Sequence, residues 1–174
     1  KVDGFVVLPM QSFCMAATTF TGQNIGARRM DRVKKGLFQG MAICSIYTVG
    51  VSVLLFFKAH SVLEIFSSEP GVISYGIKTM IVMVPFYLLL SAHQILMGTM
   101  RGAGKSMQTM LISVGNMCVL RVIYINLFVP LFPSFDAVMW CYPITWATTV
   151  LMDLAYMKWG RWLGQAGDRK KKGH

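Results

Sequence analysis

Six polar side chains, Gln11, His93, Gln94, Asn116, Arg121 and Asp153, stand inside runs of otherwise apolar residues. Where such runs cross a membrane, burying these groups in hydrocarbon is costly, so they face a cavity, a water path or a partner side chain. The chemistry open to them is hydrogen bonding to a solute and binding of an ion or proton. For His93 an interhelical hydrogen bond is a simpler account than a proton relay. Arg121 lies in the middle of its run and needs a partner. Asp153 is the only acid inside a run, which makes it the expected counter-charge to Arg121. A coupling cation or proton is the alternative role for Asp153, although a place near one end of its run suits a structural part better. Gln11, Tyr87, His93, Gln94 and Asn116 are expected to face a cavity, with Met10 and Met97 as adaptable apolar contacts.

No catalytic constellation accompanies them. The sequence has no HExxH, GxSxG or phosphate-binding loop and no pairing of cysteine with histidine. An enzyme, a metal site and a bound cofactor are therefore not expected. The four cysteines have no metal-ligand spacing and lie in or beside apolar runs, as buried free thiols do. The 14 methionines are either filler in an apolar bundle, the commoner use, or the lining of a promiscuous cavity.

The elements that position these residues are read from charge spacing. Of 174 residues, 55% are hydrophobic and only 14% charged, against about 25% in a soluble domain. No charged residue falls between Lys35 and Lys58, or between Lys78 and Arg101, and each gap holds 22 residues. Roughly 20 apolar residues suffice for a helix to cross the hydrocarbon core. The expected fold is an all-α integral membrane bundle of about five transmembrane helices, at about 4–27, 36–57, 72–100, 107–128 and 137–159. The bundle fills 1–165 and a basic tail follows at 166–174. Pro9 lies near the start of the first span and could kink it, a break tolerated where neighbours satisfy the backbone. His60–Ser68 reads as a short amphipathic stretch between spans. The chain opens on Lys1 almost directly into an apolar run, as a truncated sequence would.

The net charge of +10 does not point to nucleic acid, because basic residues cluster at the ends of apolar runs, where membrane flanks carry them. The segments 28–35 and 101–105 and the region from Lys158 onward hold 13 of the 17 lysines and arginines. The opposite loops hold only Lys58, beside Glu64, Glu69 and Asp136. By the positive-inside rule the first set is cytoplasmic, including the C-terminus. Trp140, Trp159 and Trp162 fall near the expected interfaces.

Two segments resemble the multidrug and toxic-compound extrusion family. Phe20-Thr21-Gly22-Gln23-Asn24-Ile25-Gly26-Ala27, running into Arg32-Val33-Lys34-Lys35-Gly36, is similar to its GQNxGA signature and basic loop. Gly98-Thr99-Met100-Arg101-Gly102-Ala103-Gly104-Lys105-Ser106 resembles its glycine-rich RG loop. Physically, the glycines permit a tight turn and close helix approach. The resemblance implies helices eight to twelve of a twelve-helix, two-lobed transporter, lacking the first helix of the C-terminal lobe and the whole N-terminal lobe of the same polypeptide. It implies export of amphipathic or cationic compounds from a bacterial cell membrane, coupled to sodium or proton entry by alternating access. Some members carry a coupling carboxylate in the tenth helix, but Phe86-Tyr87-Leu88-Leu89-Leu90-Ser91 contains no acid. A lipid-linked oligosaccharide flippase of the same superfamily and a non-transporting membrane scaffold are the competing readings.

Overall fold

A computed structural model describes residues 2–64, 69–131 and 135–159, and every element among them is helical. Helices α1 (Val2–Gly26) and α2 (Met30–Glu64) are followed by α3 (Pro70–Met83), a 3₁₀ turn (Val84–Phe86) and α4 (Tyr87–Gly102). Then come α5 (Ser106–Val114), a π-helical turn (Gly115–Leu120), α6 (Arg121–Phe128) and α7 (Phe135–Trp159). The α3–α4 and α5–α6 pairs each run on as one rod, so the described residues form five helical rods. Four are long and apolar enough to cross a membrane: Gly4–Gly26, Met30–Glu64, Gly71–Gly102 and Ser106–Phe128. The fifth, α7, has the length at 25 residues and buries Thr145, Thr149 and Asp153 within the bundle. The basic tail at 166–174, Arg161, Trp162 and Pro133 lie outside the described residues, as do Ile65 and Phe66 of the amphipathic stretch.

Sequence chemistry explains the breaks. Pro85 cannot donate a backbone hydrogen bond and crowds the preceding turn, and the third rod tightens there into the 3₁₀ turn. At Lys58, φ −113° and ψ 15° interrupt α2, which separates the expected span from the short helical start of the amphipathic stretch. Pro9 behaves differently: α1 continues through it. A proline deprives the carbonyl four residues back of its helical N–H, here that of Phe5, and the Tyr47 hydroxyl of α2 donates to this carbonyl at 3.4 Å.

The two signature segments form turns of one design. After α1, Arg28 adopts φ 57°, the Arg29 N–H donates to the Asn24 carbonyl and the Arg28 N–H to that of Ile25. After α4, Gly104 adopts φ 78°, the Lys105 N–H donates to Met100 and the Gly104 N–H to Arg101. Both are left-handed helix ends closed by a Schellman pair of bonds. The expected basic loop at 28–35 is accordingly shorter than the sequence suggested. Helix α2 begins at Met30, with Asp31 in its first turn, and Arg32, Lys34 and Lys35 stand on the helix.

The third rod is the centre of the bundle. In Gly71–Gly102, 61% of the most apolar window is buried, against 6% in Ser106–Phe128. An apolar core of Val6, Met10, Cys44, Tyr87, Ile95 and Trp146, among others, joins α1, α2, α4 and α7. Large apolar side chains such as Phe38, Ile46, Phe57, Leu111 and Leu151 remain exposed on the outside, as expected where the surrounding medium is lipid.

Candidate functional site

Helix α4 presents glycines to α1 and polar side chains to α7. On the α1 side, a Cβ added to Gly98 would stand 2.4 Å from the Cys14 carbonyl oxygen, and one added to Gly102 would stand 2.4 Å from that of Thr18. Only hydrogen fits at either position. The Gly98-x-x-x-Gly102 spacing thus brings two backbones together, and the Thr18 hydroxyl donates to the Gly98 carbonyl at 3.0 Å. This contact fixes the rotation of α4 and hence which residues meet α7.

On that other side, His93 Nδ1 lies 2.6 Å from Asp153 Oδ2. The two side chains are 3% and 1% exposed, so the pair is withdrawn from solvent and from lipid. The second carboxylate oxygen, Oδ1, is also buried and has no partner among the described residues; the same holds for Gln94 Oε1. Buried acceptors left unpaired are rare because each forfeits its hydration. His93 therefore does make an interhelical hydrogen bond, and its partner is ionisable.

The structure separates the expected Arg121–Asp153 couple. Arg121 Nη2 donates to Thr145 Oγ1 at 3.4 Å, and its guanidinium carbon lies 4.4 Å from the Tyr142 ring centroid, an arrangement in which the ring face attracts the cation. Depth explains the difference. At 1.5 Å per residue, Arg121 stands ~22 Å from the start of its rod at Ser106, and Thr145 ~21 Å from the end of α7. Asp153 stands only ~9 Å from that end, near the level of His93, which is ~14 Å from the end of α4.

Other polar groups in this seam find methionine sulfur. Asn116, buried in the π turn, donates its amide to Met152 Sδ on α7 and to the Ile112 carbonyl at 3.3 Å. The Ser113 hydroxyl donates to Met97 Sδ at 3.7 Å, and outside the seam Thr79 of α3 donates to Met139 Sδ near the start of α7 at 3.6 Å. A thioether is a weak acceptor on a flexible apolar stem, which suits a polar group that must be satisfied within hydrocarbon.

The expected site residues thus divide. His93, Met97, Asn116, Asp153 and Arg121 lie along the interface of α4, the π-containing rod and α7, whereas Gln94 is buried one turn before Gly98, on the glycine face of α4. Tyr87 and Met10 are buried in the apolar core, with the Tyr87 ring 5.9 Å from that of Trp146. Gln11 is exposed on the outer face of α1 and joins neither group. A shallow apolar groove of about 240 Å³ opens between α1 and α2, lined by residues including Phe13, Ala17, Phe20, Gly40, Ile43 and Ile95; none of the expected cavity residues lines it. Among the loop residues, Gly22 faces the Gly102 carbonyl, Asn24 donates its amide to the Phe20 carbonyl at 2.8 Å, and Gly26 closes α1. Gln23 and Arg101 are exposed. Sequence reasoning missed Tyr47, Thr145 and Met152. The proline at position 9 signalled a freed carbonyl, but nothing in one sequence said which hydroxyl would reach it.

The MatE family model matches residues 1–127. Among curated relatives, the probable multidrug resistance protein YoeA of Bacillus subtilis is 27% identical over 114 residues, 66% of this chain and 25% of the relative. The probable multidrug resistance protein YpnP of the same organism is 24% identical over 128 residues, 74% of this chain and 29% of the relative. The probable multidrug resistance protein NorM of Thermotoga maritima is 23% identical over 113 residues, 65% of this chain and 24% of the relative. The chain spans about a quarter of the length of these relatives. No solved structure matches it. With a helical bundle of membrane-spanning length and a match over most of its residues, the chain belongs to the MatE family of membrane proteins.

Proposed function

We propose that this chain works as part of the C-terminal lobe of a cation-coupled antiporter that exports amphipathic or cationic compounds by alternating access. What carries the reading is its similarity to relatives described as probable multidrug resistance proteins. The buried polar seam supports it, because ionisable groups inside a membrane bundle are the usual means of coupling ion movement to a change of state. The second lobe belongs to the same polypeptide, and the solute moves between the two. The lobe lies in a bacterial cell membrane with the turns after α1 and α4, and the C-terminus, on the cytoplasmic side, as the distribution of lysine and arginine favours.

The test is dye accumulation in an efflux-deficient bacterium expressing the two-lobed polypeptide. Loss of a cationic dye that depends on an ion gradient is the expected result, and exchanging sodium for proton gradients identifies the coupling ion. Unchanged accumulation, with the protein shown to be in the membrane, would overturn the reading.

A further inference from the structure

We infer that His93 and Asp153 form a proton-binding site within this lobe, the point at which the proton that drives export is taken up and released. The inference rests on the antiport reading above and adds the ion and its residues. On α7, Asp153 is the acid buried among the described residues. The 2.6 Å contact and near-complete burial of both partners make the pair one unit. With Asp153 ionised, His93 Nδ1–H donates to Oδ2 and the neutral ring keeps a lone pair on Nε2. The unit then carries one negative charge, with Oδ1 buried and unpaired among the described residues, a costly state in hydrocarbon. A proton arriving at Nε2 forms an N–H bond, turns the ring into imidazolium and makes the unit neutral overall. Its departure restores the negative charge. Binding and release of one proton therefore change the net charge between α4 and α7, the kind of difference that biases two packings of a helix pair.

The surrounding groups leave that change uncompensated. The segment 106–120, α5 with the π turn, has no charged residue, and Cys118 there is exposed. Helix α1 brings the thiol of Cys14 and α2 that of Cys44, both buried, while Tyr47 of α2 points its hydroxyl to the Phe5 carbonyl. Tyr75 and Lys78 of α3 are exposed, as are Arg101 at the end of α4 and Lys158 at the end of α7. On α7, Cys141 is buried and Tyr156 half-buried, and Tyr142 faces Arg121. Tyr87 of α4 stacks toward Trp146. Arg121 of α6 is engaged about two turns away by Thr145. Among the described residues, the only ion pair either His93 or Asp153 makes is with the other.

The test reads protonation and transport separately. In the full chain, reconstituted in lipid nanodiscs with ¹⁵N-labelled histidine, the ring nitrogens are followed by NMR against pH, and H93Q assigns the His93 signals. The expected result is a His93 Nε2 resonance that responds to added protons, and a response that is altered in D153N. A signal unchanged between about pH 5 and 9 overturns the inference. So does a shift produced by sodium chloride at fixed pH without any response to protons, which gives the site to the metal ion. In proteoliposomes of the two-lobed protein, D153N and H93Q should lose about tenfold or more of dye export driven by a pH gradient, while dye binding at fixed pH changes less than about threefold. Variants that stay coupled to the gradient overturn the inference. Wild-type protein without export overturns the antiport reading and the coupling role with it, while the nitrogen titration still decides whether the pair binds a proton.

Discussion

Gly98→Ala probes the contact that orients α4. The added Cβ would lie 2.4 Å from the Cys14 carbonyl oxygen, a backbone atom, and 3.1 Å from the Ala17 Cβ. Ordinary contact begins near 3.4 Å, so α1 and α4 must separate by roughly 1 Å, since no flexible side chain is available to yield. Overpacking of this kind costs about 1–3 kcal/mol. The same displacement stretches the 3.0 Å bond from Thr18 to the Gly98 carbonyl, a loss of about 0.6–1.7 kcal/mol for an interhelical bond in a membrane bundle. The two effects together predict a destabilisation of about 2–5 kcal/mol. Unfolding in mixed micelles with rising sodium dodecyl sulfate, followed by tryptophan fluorescence, measures it. Gly50→Ala is the control, because its added Cβ would meet nothing within 4 Å and alanine favours the helix by up to about 1 kcal/mol. A Gly98→Ala protein within about 0.5 kcal/mol of wild type would mean that α1 and α4 do not pack backbone to backbone, and the orientation of His93 would lose its cause.

The remaining predictions concern turns and buried polar groups. Arg28 bears a side chain at φ 57°, so Arg28→Gly should stabilise by about 1 kcal/mol, and Gly104→Ala at φ 78° should destabilise by about the same amount; chemical unfolding reads both. Tyr47→Phe should cost about 0.6–1.7 kcal/mol, the range for an interhelical bond, and cost less in a Pro9→Ala background, where the Phe5 carbonyl regains its helical donor; a cycle with no coupling would refute the Tyr47–Phe5 contact. Arg121→Gln and Asp153→Asn should add within about 0.5 kcal/mol because they share no partner, whereas Arg121→Gln and Tyr142→Leu should couple by about 0.5–2 kcal/mol.

Much of this bundle is legible in the sequence because a bilayer reduces the fold to few variables. Where charges are absent for 22 residues, the backbone has to satisfy itself as a helix, and the described residues form five helical rods. Breaks are less legible. Pro9 suggests a kink, yet α1 continues through it, and the Tyr47 hydroxyl of α2 donates to the Phe5 carbonyl one turn before. That contact joins positions 42 apart in sequence, and no local pattern encodes it. The extent of the first basic segment is hidden for a related reason. Basic residues read as loop, but with one residue in the left-handed conformation the chain reverses within Ala27–Arg29 and resumes as helix.

At the candidate site, residue types are readable and partnerships are not. Opposite charge alone joins Arg121 to Asp153, since each is the most exposed to penalty in its span. Charge, however, is one of two requirements for a pair, and depth is the other. The positions of Arg121 and Asp153 along their rods differ by roughly 13 Å, more than any side chain spans, while those of Asp153 and His93 differ by roughly 5 Å. Counting residues from the helix ends at Gly102, Ser106 and Trp159 is enough to remove the wrong pair. What counting cannot supply is rotation: His93 meets Asp153, and not lipid, because Gly98 and Gly102 on the same helix are packed backbone to backbone against α1. The glycines of the signature turn and the histidine of the candidate site are thus parts of one arrangement, and a substitution at either glycine should disturb the His93–Asp153 pair without touching it.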